Sequence, residues 1–435
     1  MATTWTNWAG DQRCAPVQLA RPGAEAEVAE LVARATVRGL PVRPAGAGHS
    51  FTDCACTDGV LVDTGGLQRV LAVDRASGLV TVEGGIRLRR LGEELARHGL
   101  GLENQGDIDA QALAGALATA THGTGLRFAN LSAQVAGMRL VMATGEVLDL
   151  REETDAEALL AARVGVGALG IVTAVTLRAI PLYTLHRRDA PQPLGEVLER
   201  LDELAETHDH FEFYVFPYTR TALARETRRS AEPPDPPPAW RKRLTEDVLE
   251  NRALALVCRT GRAVPRAVPR LNRLMAASLP GGWTVDHAHR VYASRREVRF
   301  NEMEYAIPRA AAREAVERVL ETFERRRLPV VFPLEVRFSA GDDAFLSTAH
   351  GRETAYVAVH QFHGMDHETP FRAVEAIMDE LGGRPHWGKR HYQVAATLRE
   401  RYPGWDRWQA VRARLDPGGT FTNDYVRRTL GAVAA

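Results

Sequence analysis

The octapeptide Pro44–Phe51 (PAGAGHSF), directly after a strand-like run, has residue types that bind an anion through the backbone. Its four small residues allow successive N–H groups to point at one phosphate. These residues are Ala45, Gly46, Ala47 and Gly48. His49 and Ser50 follow at once. The segment is neither a Walker loop, which needs Gly-Lys-Ser/Thr, nor a GxGxxG fingerprint, which must open a helix. A phosphate-binding loop and a plain tight turn both fit this pattern.

Two later segments are also made of small residues. Leu113–Gly125 (LAGALATATHGTG) contains almost only Ala, Gly, Thr and Leu apart from His122, so either a flat ring system or a closely packed helix and strand lies against it. A third segment, Arg163–Val172 (RVGVGALGIV), favours one long ligand wrapped by three loops. The residues expected to contact this ligand are Gly115, Ala116, Thr119, Thr121, His122, Gly123, Gly170 and Val172.

An acid and a guanidinium are brought together by strand periodicity. Val331–Phe338 alternates apolar and polar residues, so Glu335 and Arg337 project from the same face. A polar pocket wall and an exposed ion pair of little energetic consequence are the two interpretations of this pair.

Lys389 and His360 are the remaining candidates for a polar site. Lys389 follows Trp387 and Gly388, which restrain it, although a lone lysine is usually solvated. His360 is on the polar phase of the strand-like segment Tyr356–Phe362, where a pocket residue and a structural histidine fit equally well.

Metal and hydrolase chemistry find little support in the sequence. Cys54-Ala55-Cys56 and His208-Asp209-His210 have suggestive spacing, but neither has a second matching pair. No GxSxG motif occurs, so a serine nucleophile elbow is not indicated. We therefore expect no metal site.

The elements that must position these residues follow one another irregularly. Residues 24–39 predict a helix, and short strand-like runs lead to a second helix over Leu88–His98. This order favours an α+β fold over regular βαβ alternation. Further helices are predicted at Leu194–His208, Val268–Ser278, Ala310–Arg326 and Phe371–Leu381, between aromatic-rich strands. The change from Gly-rich segments to helices that alternate with aromatic-rich strands predicts one domain over residues 1–180 and a second over 181–435. Residues from about 385 to 435 are expected to return to the first domain.

Composition narrows the class of protein. The chain has 435 residues, 55 basic and 55 acidic side chains and 45% hydrophobic residues, as expected of a folded protein with two domains. Zero net charge gives no long-range attraction to nucleic acid. The most apolar stretch, residues 164–177, is too short to span a bilayer. Four cysteines are too few for a disulfide framework, so we expect a cytoplasmic protein with reduced thiols.

The three small-residue segments together carry a family resemblance. PAGAGHSF, followed by Thr57-Asp58-Gly59, resembles the pyrophosphate loop of vanillyl-alcohol-oxidase-type (PCMH-type) FAD enzymes, and ATATHGTG and GALGIV resemble their later flavin loops. Within that group the chain is similar to the sugar-1,4-lactone oxidoreductases, the L-gulonolactone and D-arabinonolactone oxidases. The motifs that extend this similarity are MEYAIP, EVRF, GGRPHWGK and LDPGGTFTNDY.

The resemblance implies a cofactor and roles for the site residues. It implies a PCMH-type FAD-binding domain of two subdomains, followed by an α+β substrate (cap) domain with an antiparallel sheet. His49 matches the histidine that carries FAD covalently in this family. Glu335 and Arg337 match its substrate-binding pair, Lys389 is the polar group on the opposite wall, and His360 is a further candidate.

The resemblance also implies a reaction. An aldono-1,4-lactone, above all L-gulono-1,4-lactone, would be oxidised to L-ascorbate by hydride transfer from C2 to flavin N5. An alditol oxidase acting on xylitol or sorbitol and producing hydrogen peroxide is the alternative, because EVRF and HWGK fit both. A non-catalytic binding protein and a metal-dependent hydrolase are more remote alternatives.

The electron acceptor stays open between oxygen, a cytochrome and a dye-like acceptor. Access of oxygen to the flavin depends on one small or bulky side chain, and Ala114 and Ala116 lie in the segment where the family controls this access.

Overall fold

The computed structural model describes residues 4–238, 251–294 and 296–433. Within these residues the α-helices span Glu25–Val37, Leu88–Arg97, Leu113–Ala118, Glu152–Arg163, Leu194–Glu199, Leu201–Thr207, Asn251–Ala263, Val268–Ala277, Ala288–Tyr292, Ala312–Arg326, Glu368–Glu380, Ala395–Arg399, Trp405–Leu415 and Asp424–Leu430. Short 3₁₀ turns lie at Asp53–Ala55, Thr64–Gly66, Leu131–Gln134, Pro265–Ala267 and Arg309–Ala311.

The first 180 residues form two sheets. A parallel sheet contains, in spatial order, Gln18–Ala20, Val60–Asp63 and Val42–Ala45. An antiparallel sheet contains Val147–Arg151, Val135–Val141, Ile171–Arg178, Leu79–Glu83 and Val70–Asp74. Two short ladders pair Trp5–Thr6 with Arg13–Cys14 and Ile180–Pro181 with Leu100–Gly101. The first small-residue loop follows the strand Val42–Ala45, and the third leads into the strand Ile171–Arg178.

The second half is built on one large antiparallel sheet. Its strands, in spatial order, are Gly282–His287, Thr184–Pro193, Thr221–Ser230, His210–Val215, Leu334–Ser339, Thr354–Phe362, Phe300–Pro308 and Arg384–Pro385. The helices Ala312–Arg326 and Glu368–Glu380 cover one face, where Met303, Val336 and Val357 are fully buried. Side chains alternate along a strand, so the opposite face receives the intervening polar residues.

Register fixes which polar residues meet on that face. Glu335 and Glu304 are both paired with Ala358, one on each side. His360 is opposite Glu302 on the neighbouring strand. The side chain of Ala358 lies between those of Glu335 and Glu304 on this face and is itself buried. The central strands thus bring four carboxylate and imidazole groups within one small area.

The C-terminal helices pack against the first half of the chain. Trp408 and Tyr425 are fully buried in a core that also contains Leu113 and Met138, and Phe421 joins a second core with Val28. The indole N–H of Trp408 donates to the carbonyl of Ala161 at 3.2 Å. The boundary near residue 180 stays a prediction.

The expected α+β class is confirmed, and several element bounds differ from the predicted ones. The amphipathic helix predicted at residues 24–39 spans Glu25–Val37. The strand predicted over Val331–Phe338 begins only at Leu334, because Pro333 has no N–H for a ladder. The helix predicted at Leu194–His208 is two helices, interrupted at Arg200.

Arg43 ties the loops of the first half together. Its side chain is buried, and it donates to the carbonyls of Cys54 (2.9 Å from Nε), Val166 (2.9 Å), Gly167 (2.7 Å) and Phe421 (2.6 Å). One guanidinium therefore satisfies acceptors from three separate loops, and burial lowers its pKa to about 10. A buried carbonyl without a donor is expensive, so these loops depend on Arg43 for their arrangement.

Replacing Arg43 with Met should lower the free energy of unfolding by about 2–4 kcal/mol, since the carbonyls of Val166, Gly167 and Phe421 lose their donor. Urea denaturation followed by tryptophan fluorescence measures this change. The exposed Arg38→Met variant is the control and should stay within about 0.5 kcal/mol of the wild type. Equal urea midpoints for Arg43→Met and the wild type would contradict the assignment.

Candidate active site and cofactor cavity

The three small-residue segments converge on one elongated cavity, here called the loop cavity, with an empty volume of about 1030 Å³. Of the residues predicted to contact a ligand, those that line it are Ala45, Gly46, Ala47, Gly48, His49, Ser50, Gly115, Ala116, Thr119, Gly170 and Val172. Trp5, Arg43 and Thr64 complete the wall and were not predicted. The prediction that one ligand-sized space adjoins all three segments is thus matched by the geometry.

The first loop presents unpaired backbone donors. Within the described residues, the N–H groups of Ala47, Gly48, His49 and Ser50 have no hydrogen-bond acceptor. Consecutive free N–H groups form a nest for an anion such as a pyrophosphate. This cradle leaves little room for side chains, because a Cβ at Gly46 would lie 2.7 Å from the Cβ of Ala112.

His49 stands where the loop cavity meets a second one. It lines both spaces, and its ring stacks on Trp8 with centroids 5.4 Å apart. Burial and, to a smaller extent, the positive charge of Arg87 lower the pKa of His49 to about 4. The imidazole is therefore neutral at ordinary pH, and a neutral imidazole is nucleophilic.

The second space, here called the charged cavity, has an empty volume of about 1300 Å³. It lies over the polar face of the large sheet. Its ionisable lining includes Asp107, Arg296, Glu302, Glu335, Arg337, His360, His386 and Lys389. All four predicted catalytic residues therefore lie in one cavity, beside His49.

Glu335 and Arg337 are a buried pair rather than a solvated one. The two groups are in direct contact, and Arg337 Nε also donates to Glu212 at 2.8 Å. The hydroxyl of Tyr214 lies 3.2 Å from Glu335 and 3.0 Å from Glu212. Burial raises the pKa of Glu335, and the negative charges of Asp107 and Glu212 add to it although Arg337 opposes the rise.

Lys389 is held by two carboxylates of one strand. Its Nζ is 2.5 Å from Glu302 and 2.9 Å from Glu304. Burial alone would lower the pKa of Lys389, but these two carboxylates raise it well above its ordinary value. Burial would likewise raise the pKa of Glu302, yet Lys389 and His360 bring it to about 2. Lys389 therefore stays positively charged.

His122 belongs to the Lys389 network and not to the loop cavity. Its Nδ1 donates to the Gly123 carbonyl at 2.8 Å, and its Nε2 lies 2.8 Å from Glu304. The ring stacks on Tyr356 with centroids 3.4 Å apart. Thr121 lines the charged cavity beside it, whereas Gly123 lines a smaller chamber behind Arg337.

One cluster has the composition of a metal site. The ligand atoms of His122, Glu304 and His386 lie within 4.8 Å of one another. Lys389 already places a positive charge 2.9 Å from Glu304, and it helps burial to lower the pKa of His386 to about 3. A cation would be repelled by Lys389, so the absence of a metal stays our prediction.

His360 lies between Glu302 and Glu335 in the charged cavity. Its Nε2 lies 3.3 Å from Glu302 and 3.7 Å from Glu335, and its Nδ1 lies 3.4 Å from the Pro333 carbonyl. The ring edge contacts Phe300. The geometry thus favours the pocket interpretation of this histidine.

The sequence reasoning missed several residues of this cavity. Glu302 and Glu304 alternate with apolar residues in the strand Phe300–Pro308, and that period-two pattern could have revealed them. Asp107 and Arg296 lie in loops, where no local pattern marks them. Ala114 and Ala116, considered for oxygen access, both line the loop cavity.

Among the described residues, no helix combines the length and apolarity that crossing a membrane requires.

Comparison with known proteins defines the class first. Residues 16–151 match the FAD-binding domain family, so the loop cavity, with its donor nest, belongs to a flavoprotein. The cholesterol oxidase of Brevibacterium sterolicum has the same fold, with a TM-score of 0.86 over 99% of this chain and 97% of that chain at 18% identity. The expected FAD-binding fold is confirmed.

The second half of the chain identifies the family to which the protein belongs. Residues 175–429 match the D-arabinono-1,4-lactone oxidase family. The chain is 59% identical to the L-gulono-1,4-lactone dehydrogenase of Mycobacterium tuberculosis over 99% of this chain and 100% of that protein. It is 32% identical to the bovine L-gulonolactone oxidase, over 97% of each chain, and to a Streptomyces alditol oxidase, over 99% of this chain and all of that one. The chain belongs to the D-arabinono-1,4-lactone oxidase family of FAD-dependent oxidoreductases, as its motifs predicted.

Proposed function

We propose that the protein oxidises L-gulono-1,4-lactone at C2 with FAD as its cofactor, which yields the 2-keto lactone that tautomerises to L-ascorbate. One observation carries this proposal: a cavity with a donor nest for a dinucleotide joins, at His49, a cavity lined by Glu335, Arg337 and Lys389. The choice of lactone rests on the 59% identical mycobacterial dehydrogenase.

The loop cavity supplies what FAD needs. The free N–H groups of residues 47–50 would bind the pyrophosphate. A side chain at Gly115 would meet only open space, so this position leaves room for the flat ring system. When bound, FAD accepts the hydride that the substrate loses.

Glu335 is the proposed base for the substrate hydroxyl. A general base works best when its pKa is near the working pH, and burial moves the pKa of Glu335 upward. Lys389 is unsuitable for this role because Glu302 and Glu304 keep it protonated. The C2 hydroxyl would therefore give its proton to Glu335.

Lys389 and Arg337 are the proposed electrostatic partners of that step. As the hydroxyl proton leaves, negative charge grows on the substrate oxygen, and fixed positive groups stabilise it. Both cations are buried and already oriented by carboxylates, so little reorganisation is needed. His360, between Glu302 and Glu335, completes the proposed set.

We further propose that His49 carries FAD covalently. Its imidazole is buried, neutral at ordinary pH and placed at the junction of the two cavities. Its neutral ring nitrogen would supply the electron pair for a bond to the C8 methyl carbon, which would lose a proton. The flavin would take up the two electrons released, and the enzyme's electron acceptor would remove them.

The electron acceptor and the location in the cell belong to the same proposal. Oxygen, a cytochrome or a dye-like acceptor would reoxidise the enzyme, and comparing peroxide formation with dye reduction separates them. The four cysteines are free thiols, which supports a cytoplasmic location.

Anaerobic mixing of the holoenzyme with one substrate at a time tests the reaction. We expect L-gulono-1,4-lactone to bleach the flavin absorbance, and xylitol or sorbitol to do so far more slowly. Faster bleaching by the polyols would favour the alditol oxidase alternative. No bleaching by any lactone or polyol would contradict both.

Replacing Glu335 or Arg337 by Ala should slow flavin reduction by the lactone on the order of a hundredfold, because the proton acceptor or its charge partner is lost. Stopped-flow absorbance measures the rate, and an unchanged flavin spectrum shows that the cofactor is still bound. Wild-type rates in both variants would remove this pair from the mechanism.

For His49→Ala, we expect the flavin to appear in the supernatant after acid precipitation, whereas the wild-type pellet should stay yellow. Activity should fall while the folded structure is retained, as circular dichroism would report. A colourless wild-type pellet would exclude the covalent link.

A further inference from the structure

Asp107 lies in the loop that joins the strand Leu100–Gly101 to the helix Leu113–Ala118, and it connects the two halves of the chain. Its Oδ2 accepts from Ser294 Oγ and from Arg296 Nη2, each at 3.1 Å. Its backbone carbonyl accepts from the N–H of Ser294 at 2.9 Å. One residue thus fixes the segment that closes this side of the charged cavity.

Asp107 also completes the surroundings of Arg337. Its Oδ1 lies 3.4 Å from the Arg337 guanidinium, which contacts Glu335 directly and donates from Nε to Glu212 at 2.8 Å. Each edge of the guanidinium therefore faces a carboxylate.

The third carboxylate, that of Asp107, separates two spaces on either side of Arg337. Asp107 and Arg337 form the wall between the charged cavity and a smaller polar chamber of about 400 Å³. Without Asp107, the guanidinium would be held by Glu335 and Glu212 alone.

The charge of Asp107 reaches Glu335 as well. The groups that face Glu335 are Arg337 on its own strand, Glu212 and Tyr214 on one neighbouring strand, and His360 on the other. Asp107 and Arg296, which pair with each other, face it from two loops. Burial would raise the pKa of Asp107, but Arg337 and Arg296 hold it well below its ordinary value, so the carboxylate stays ionised. Its fixed negative charge raises the proton affinity of Glu335.

We infer that Asp107 is a positioning residue for the oxidation: it orients Arg337 against Glu335 and keeps Glu335 a strong enough base to take the substrate proton. This inference rests on the proposed function, in which Glu335 is the base.

The test is the pH dependence of flavin reduction in the Asp107→Asn holoenzyme with L-gulono-1,4-lactone. In the wild type the rate should fall as the pH drops through the pKa of Glu335, because the protonated acid cannot accept a proton. Removing the negative charge of Asp107 lowers that pKa. The low-pH side of the rate profile, here called the acid limb, should therefore move to lower pH by about half a unit to one unit. The maximal rate should fall about ten- to a hundredfold.

Asp109→Asn is a matched control. Asp109 is a buried aspartate of the same loop and lines the same cavity on the side of His49, but it pairs with Arg89 at 2.8 Å instead of with Arg337. Its loss should leave the acid limb in place. Asp107→Glu keeps the charge and should recover the wild-type position of the limb.

A uniform loss of rate with an unmoved acid limb would overturn the inference, since a merely structural role acts equally at every pH. Wild-type rates in Asp107→Asn would overturn it too. If Asp107→Asn does not retain flavin, Asp107→Ser removes the same charge and gives the same readout. Failure of the wild type to be reduced by the lactone would instead refute the proposed function.

Discussion

A buried carboxylate is stable only beside a positive charge or a set of hydrogen-bond donors, and this constraint shapes the whole polar face of the large sheet. Glu302 and Glu304 share Lys389, while Glu335 shares Arg337 with Glu212. Moving any one of these groups would leave a charge without its partner. The ion pairs therefore fix the positions of the charged side chains before the substrate binds, and such preorganisation is what makes electrostatic stabilisation effective.

The apolar face of the same sheet makes this arrangement possible. Two helices seal that face with side chains such as Phe323 and Met378, so the strands cannot shift register without exposing a core. Register then fixes which polar side chains are neighbours, and it places Glu335 and Glu304 on either side of Ala358. Ordinary hydrophobic burial thus determines the spacing of the groups that would carry the chemistry.

Local sequence patterns predicted those site residues whose arrangement depends only on their neighbours in the chain. The small residues around His49 mark a loop that needs its backbone free, and period two places Glu335 and Arg337 on one face. Partners brought together by topology were beyond such patterns: Asp107 and Arg337 are 230 residues apart, and nothing near either residue reveals the other. His122 was predicted as a cofactor contact from its place in a small-residue segment that resembles a flavin loop, which could not show that Glu304 would lie against its ring nitrogen. The covalent state of the flavin depends on a reaction, and neither pattern nor packing determines it.

The Arg43 contact with Phe421 has a consequence for biosynthesis. The guanidinium that gathers the cofactor loops needs a carbonyl 378 residues further along the chain, in a segment just before the final helix. The N-terminal loops alone would lack one of the acceptors that orient Arg43. The flavin cavity is therefore expected to take its final shape only once that later segment has been made and has packed against the first half.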